Sequence, residues 1–575
     1  MTRMDSRRQQ ATILDELNKT GPMTILDLKI SSMFNGKRAQ IARQSAASLA
    51  LVLSLAACGS SDPPVGQVGH VEGFSGLIAG DEPLSVTVGR DILSAGGTAA
   101  DAAAAMGFTL AVTQPSTAGL GGGGICLIHD RNRYQTVALD FLATAPSSPA
   151  TSATRANAVP GTVRGLAAMH ARFGRLQWSQ VISPAEGLSR FGYTASRAFA
   201  RDLALVAGPL LEDPESRKAF ARPDGNPIQE GDLVKQIDLA ATLARIRGGG
   251  AGEFYRGVLA RQLVEAANAV GGSLSFDDLK NYRPQWREAI AVPVAPNTMY
   301  FAPPPAGAGV VEAAIWRMLT VDDRYADAPE SERPHLLAEA AMIAFAERSS
   351  WIQPDGNINT TFQTVIGDAE ARRRYASYDS ARHTSPASLA IPARPVLENP
   401  AASSFVAVDK EGGAVACNFS MNNLFGTGRI ATDTGILLAA RPGDRGRGPM
   451  SLGPMMMINT NTQNFYYASA ATGGSAAATA QVAVSLRALV GGETLRDAVD
   501  AKRVHHAGNP DVTFYETGDS PARVETLRQR GHKTQPVALI GRVNAAWCPE
   551  GLPSDPETCQ TTSDARGFGL AIGAR

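Results

Sequence analysis

Apolar and polar positions recur along this chain in two periods. The runs DAAAAMGFTLAV (101–112) and HLLAEAAMIAFAERSSW (335–351) are long and apolar enough to predict helices. The shorter runs ICLIHD (125–130), TVALDFL (136–142), SFVAVD (404–409), GAVACNFSM (413–421) and NFYYASAA (464–471) are rich in strand-forming residues and predict strands. Two of them flank Lys410-Glu411-Gly412-Gly413, which is a hairpin signal and implies antiparallel pairing. The class read from this pattern is mixed α/β. No internal repeat is evident, and the Pro-rich stretches near 385–402 and 442–454 are expected to be exposed connections.

The N-terminus follows a different layout. After Met33 come Lys37, Arg38 and Arg43, then the apolar run SAASLALVLSLAA, which ends at Cys58. Charge followed by a short apolar run is the order of a secretory signal. A membrane span needs roughly 20 apolar residues, so this run reads as a cleaved segment. Leu55-Ala56-Ala57-Cys58 looks like a bacterial lipobox, in which Cys58 becomes the lipidated first residue. Residues 1–32 read as an over-called start, and 1–57 as start plus signal. The expected location is the bacterial cell envelope (periplasm), with the membrane reached by the lipid anchor only.

Composition narrows the picture without deciding it. The 575 residues are 44% hydrophobic and 19% charged, which fits a globular core and argues against disorder or a polytopic membrane protein. Lys+Arg and Asp+Glu are balanced at 54 each, so nucleic acid is not expected as a partner. Cys126 and Cys417 lie inside strand-like runs and are expected to be small buried hydrophobes, whereas Cys548 and Cys559 could bond across a loop. His505-His506 stand alone, with no CxxC or HExxH spacing nearby, so no metal and no cofactor is expected.

Gly119-Leu120-Gly121-Gly122-Gly123-Gly124 formally matches GxGxxG, but a strand-like run follows it where a dinucleotide site needs a helix. No Lys-Ser/Thr follows to make a phosphate loop, and GxSxG is absent. The glycines therefore read as a place where backbones pack closely.

One constellation remains. Asn399-Pro-Ala-Ala-Ser403-Ser404-Phe-Val-Ala-Val-Asp409, then Gly412, Asn418-Phe-Ser420-Met-Asn422, Phe425-Gly426-Thr-Gly428 and Gly435-Ile-Leu-Leu, resembles the small-subunit start of gamma-glutamyltransferases. The resemblance runs from about residue 66 through SAGGTAADAAAA (94–105), DFLATAP (140–146), VPGTVRGL (159–166), PPPAGAG (303–309) and DARGFGLAIG (564–573). It implies the N-terminal-nucleophile hydrolase fold, a four-layer αββα sandwich built by a precursor that cuts itself. The large chain would be 58–402 and the small chain 403–575. Cleavage frees an α-amine, whose pKa of about 7.7–8.0 suits it as the base for the hydroxyl beside it.

The resemblance also assigns residues. Ungapped, the family's nucleophilic Thr falls on Ala402, and a one-residue deletion would move that role to Ser403; Ser404, not Ser403, shares the strand face of Ala402. Gly473 and Gly474 match paired glycines whose N–H groups hold the oxyanion. Ser420, Asn422, Asp444 and Ser451 match polar positions that hold the substrate's amino and carboxylate ends or the nucleophile. Leu142 stands where an Arg grips the glutamyl α-carboxylate, Arg441 stands where Gln is usual, and the short stretch from Asp444 to Ser451 implies a missing lid. The implied activity is transfer or hydrolysis of a gamma-glutamyl or similar acyl group from glutathione-type amides, with an amine or water as acceptor. A related amidase with a non-glutamyl donor, or a non-catalytic binding lipoprotein, are the alternatives.

Overall fold

The Val- and Ala-rich runs on either side of residue 410 form the centre of the structure. Strands Ser403–Asp409 and Ala414–Ser420 pair antiparallel, with Val408 opposite Ala414 and Ser403 opposite Phe419. Asp409 closes their turn by accepting from the N–H groups of Glu411 and Gly413, and Gly412 supplies the left-handed residue at φ +88°. The predicted hairpin is present. The computed structural model describes residues 73–148, 153, 155–352, 361–389, 401–443 and 448–574, all within the unit Gly69–Arg575. The lipobox ending at Cys58 and the candidate Asp444 lie outside the described residues.

This hairpin sits in a seven-stranded antiparallel sheet in the order Leu570–Ala574, Gly76–Gly80, Ser403–Asp409, Ala414–Ser420, Gly123–Asp130, Gln135–Asp140, Gln285–Glu288. A second antiparallel sheet runs Gln560–Ser563, Arg542–Leu552, Phe465–Thr472, Met455–Asn459, Asn297–Phe301, Ile290–Val294. Strand alternation divides the core between faces. Val406 and Val408 pack with Met456, Ala468 and Ala546 between the sheets, while Phe405 and Ala407 join the helices on the outer side. A separate apolar layer covers the second sheet with helices Gly307–Thr320, Arg333–Trp351 and Ser475–Leu489. The result is the αββα sandwich, and strands from both sides of Ser403 contribute to both sheets and are interleaved in the first.

Helix Ala99–Thr113 begins with a reciprocal cap between Thr98 and Asp101 and is buried along its whole length. Its alanines let it lie close to its neighbours on every side, which explains a helix without a polar face. Glycines do the same in the 119–124 run: a Cβ on Gly121 would stand 2.2 Å from the Leu437 carbonyl oxygen. No helix among the described residues is long and apolar enough to cross a membrane.

Two expectations need correction. Cys126 and Cys417 are buried as expected, but they face each other across adjacent strands and are bonded to one another; sequence spacing hides a pair 291 residues apart. Cys548 and Cys559 are bonded too. The two Pro-rich connections are exposed at their N-terminal ends, at Ser385, Ala387, Ser388 and Gly443, but buried at their C-terminal ends, at Ala401, Ala402, Leu452, Gly453 and Pro454. Ala402 and Leu452 meet in one apolar cluster, whose neighbours exclude water from the C-terminal ends.

Candidate active site

The start of the Ser403–Asp409 strand is the chemically distinctive place in the sandwich. Ala402, Ser403 and Ser404 are all buried there, and each has different neighbours. The Ala402 methyl packs in an apolar cluster with Leu142, Ile125, Ala302, Ala306 and Leu452. Ser403 has its Oγ 2.5 Å from the Thr117 hydroxyl, at the end of the loop after the Ala-rich helix. Ser404 donates from its N–H to Asp81 Oδ2 at 2.8 Å and from its hydroxyl to the same oxygen at 3.2 Å. Asn544 Nδ2 bridges to Asp81 Oδ1 at 2.8 Å and to Ser404 Oγ at 2.9 Å.

Burial pushes the Asp81 carboxyl above the usual range, opposed by the Arg542 charge and the bonds from Asn544 and Ser404. Among the described residues it is the carboxylate bonded to either serine hydroxyl. Thr117, Asp81 and Asn544 were not singled out in the sequence. They lie 286, 323 and 140 residues from the serines they hold, and no local spacing signals such partners.

The neighbouring strand supplies the polar groups expected there. Ser420 Oγ donates to the Ala401 carbonyl at 3.2 Å, and the Asn422 N–H donates to Ser420 Oγ at 2.9 Å. Asn422 is held at φ +58° with its side-chain amide on the Ala440 carbonyl. Register places Ser420 beside Ala402, one step beyond the Ser403–Phe419 pair. Ser451 ends the short 3-10 turn Pro449–Ser451, next to Leu452 of the apolar cluster.

Gly473 and Gly474 lie where strand Phe465–Thr472 passes into helix Ser475–Leu489. Their φ angles are +131° and +68°, and a Cβ on Gly473 would come 2.9 Å from Gly541 Cα, so both positions call for glycine. Asn418 Nδ2 donates to the Ala471 carbonyl at 2.8 Å and joins this strand to the hairpin at the level of Ser404. A pair of N–H groups at the head of a 15-residue helix suits a developing negative charge.

Leu142, read from the sequence as standing where an Arg is expected, lies in the apolar cluster. It is buried against Ala402, and Asp140 two residues before it is paired instead with Arg287 at 2.9 Å. The surroundings of Ala402 are therefore apolar, and Leu142 has no group to offer a carboxylate.

Comparison with known proteins agrees with the architecture. The gamma-glutamyltranspeptidase family profile matches residues 85–574. A glutathione hydrolase proenzyme of Escherichia coli K12 is 29% identical over 533 residues, covering 85% of this chain and 91% of the relative. An acylase ACY 1 proenzyme of Pseudomonas sp. SE83 is 30% identical over 527 residues, covering 83% and 91%. The crystal structure of a cephalosporin acylase from Bacillus halodurans superposes with a TM-score of 0.73 at 23% identity, over 89% of this chain and 98% of that one, which speaks to the fold.

Proposed function

The chain belongs to the gamma-glutamyltranspeptidase family, and we propose that it is a self-cleaving amide hydrolase or acyltransferase, with a large chain 58–402 and a small chain 403–575. Ser403 is the nucleophile in this reading. Cleavage before it frees its α-amine, and departure of Ala402 vacates the space beside Leu142 into which the new terminus turns. The amine takes the hydroxyl proton, Oγ bonds to the amide carbonyl carbon, and the tetrahedral oxyanion is held by the N–H groups of Gly473 and Gly474. Collapse breaks the C–N bond, the leaving amine takes the proton, and water or an acceptor amine then releases the acyl group from Ser403.

The donor is an amide of the gamma-glutamyl type or a related acyl amide, and the apolar cluster around Leu142 favours an acyl group without a free α-carboxylate. That cluster is the observation that carries this choice. The relative named an acylase supports it, and the relative named a glutathione hydrolase supports the wider class. Ser420, Asn422 and Ser451 border the substrate end in this reading.

A second reading has its own observation. Ser420 donates to the Ala401 carbonyl beside Ala402, a residue with no nucleophile, while both serine hydroxyls are engaged elsewhere. An uncut binding protein on the same fold would look like this. Intact mass of the purified protein decides between the two: a cut before Ser403 is expected, with Ser403→Ala leaving one inactive chain. A cut, active Ser403→Ala protein moves the role to Ser404, and a wild type in one piece establishes the second reading. Turnover of apolar acyl amides above gamma-glutamyl amides is expected; the reverse order refutes the donor assignment. The envelope location by lipid at Cys58 is part of the proposal, and unchanged membrane retention of Cys58→Ser refutes it.

A further inference from the structure

Far from Ser403 in the sequence, four histidines and two carboxylates converge from five places in the chain. His335 and Glu339 are one turn apart on helix Arg333–Trp351, His383 follows the 3-10 turn Tyr375–Ser377, and His532 precedes strand Thr534–Val537. His335, Glu339 and His532 are buried, and the His383 side chain is 7% exposed. Linear spacing left His505-His506 isolated and gave no sign of a metal. The tertiary structure corrects the isolation, since His506 shares the Asp511 carboxylate with His383.

The orientation of the rings is the informative feature. Each of three imidazoles has one nitrogen on an oxygen on the side away from Glu339: His335 Nε2 on the Asp379 carbonyl at 2.9 Å, His383 Nε2 on Asp511 Oδ1 at 2.9 Å, and His532 Nδ1 on the Thr513 hydroxyl at 2.8 Å. The other three nitrogens turn inward around Glu339. His383 Nδ1 is 2.5 Å and His532 Nε2 3.7 Å from Glu339 Oε1, and His335 Nδ1 is 2.7 Å from His532 Nε2. The ligand atoms of His335, Glu339 and His532 all lie within 4.8 Å of one another, and those of His383, His506 and Asp511 form a second such group, joined to the first where His383 Nδ1 meets Glu339 Oε1. A tetrahedron with metal–ligand bonds of about 2.0 Å has edges of about 3.3 Å, between the short and long separations here. Outer oxygens that fix each ring are what a metal-bound imidazole requires.

We propose that His335 Nδ1, His383 Nδ1, His532 Nε2 and Glu339 Oε1 bind one divalent transition-metal ion of the zinc class. Three imidazoles and a carboxylate suit zinc or cobalt rather than magnesium or calcium. Four protein ligands in a buried setting make a closed, structural site with no open position for substrate. His335, Glu339 and His383 precede Ser403 and His532 follows it, so the ion ties the two chains together; this last role rests on the proposed cleavage, whereas binding itself does not.

The test is a Co2+ titration of the full-length mature protein after removal of metal with a chelator. The intense visible absorption of tetrahedral cobalt should saturate at about one equivalent and be displaced by Zn2+, and Zn2+ but not Mg2+ should raise the melting temperature. Glu339→Gln and His532→Gln should each weaken Co2+ binding by at least about tenfold. Wild-type protein with no cobalt band and no Zn2+-dependent melting shift overturns the site, without reliance on whether a variant folds. A band unchanged in a folded Glu339→Gln or His532→Gln protein overturns this ligand set. Intact mass on each sample records whether the chain is cut, so failure to cleave is read separately from failure to bind.

Discussion

Cys126 and Cys417 stand directly opposite on adjacent strands of the first sheet, with Cα atoms 4.1 Å apart and their sulfurs bonded. One precedes Ser403 and the other follows it. After a cut at that point the disulfide becomes a covalent link between two chains in the middle of a sheet. Denaturing gels should show one species without reductant and two with it. Two free chains in the absence of reductant would contradict the link. Cys417→Ala should lower stability by about 2–4 kcal/mol, read as a lower denaturant midpoint.

Leu142 and Ala402 share one apolar cluster, so the proposed donor preference can be tested at one residue. Leu142→Arg should raise kcat/KM for gamma-glutamyl anilide roughly tenfold to a hundredfold, as expected for a charge-assisted contact worth about 1.5–3 kcal/mol. Activity on apolar acyl amides should fall in the same variant. An unchanged ratio between the two donors would remove Leu142 from the specificity argument.

Gly473→Ala tests the oxyanion assignment. The added methyl would meet Gly541 Cα at 2.9 Å in a backbone at φ +131°, and the N–H groups at the helix head should shift with it. Losing such a donor lowers kcat by about 10²–10³, with KM little changed. A variant with normal kcat would place the oxyanion elsewhere.

His129 gives a pH prediction with a definite sign. Burial lowers its pKa from 6.5 to about 4, against the bond to the Gln463 carbonyl and the Asp130 charge, so the folded protein keeps this ring neutral. The unfolded chain takes up a proton below about pH 6.5, so this stability is present above that value and is lost as pH falls toward 4. The loss is on the order of 3 kcal/mol at its largest. Thermal melts should show a steeper fall between pH 6.5 and 4 for the wild type than for His129→Gln. Parallel curves would assign the acid sensitivity to other groups.

Much of the fold was legible along the chain because its signals are local. The run at 101–112 became helix Ala99–Thr113, and SFVAVD and GAVACNFSM became the central hairpin, since alternation and turn chemistry act over a few residues. The motifs from 94 to 573 carried the family and with it the αββα sandwich. Strand parity alone predicts that Ser404, not Ser403, shares the Ala402 side. What that side would contain was not readable. Thr117, Asp81 and Asn544 meet the two serines only because the sheets stack in one register, and the Cys126–Cys417 bond exists only because two strands 291 residues apart are adjacent. The same holds for His335, His383 and His532, which no spacing connects. Side-chain period is a property of neighbouring residues, whereas pairing partners across a sheet or between layers are chosen by packing of the whole core.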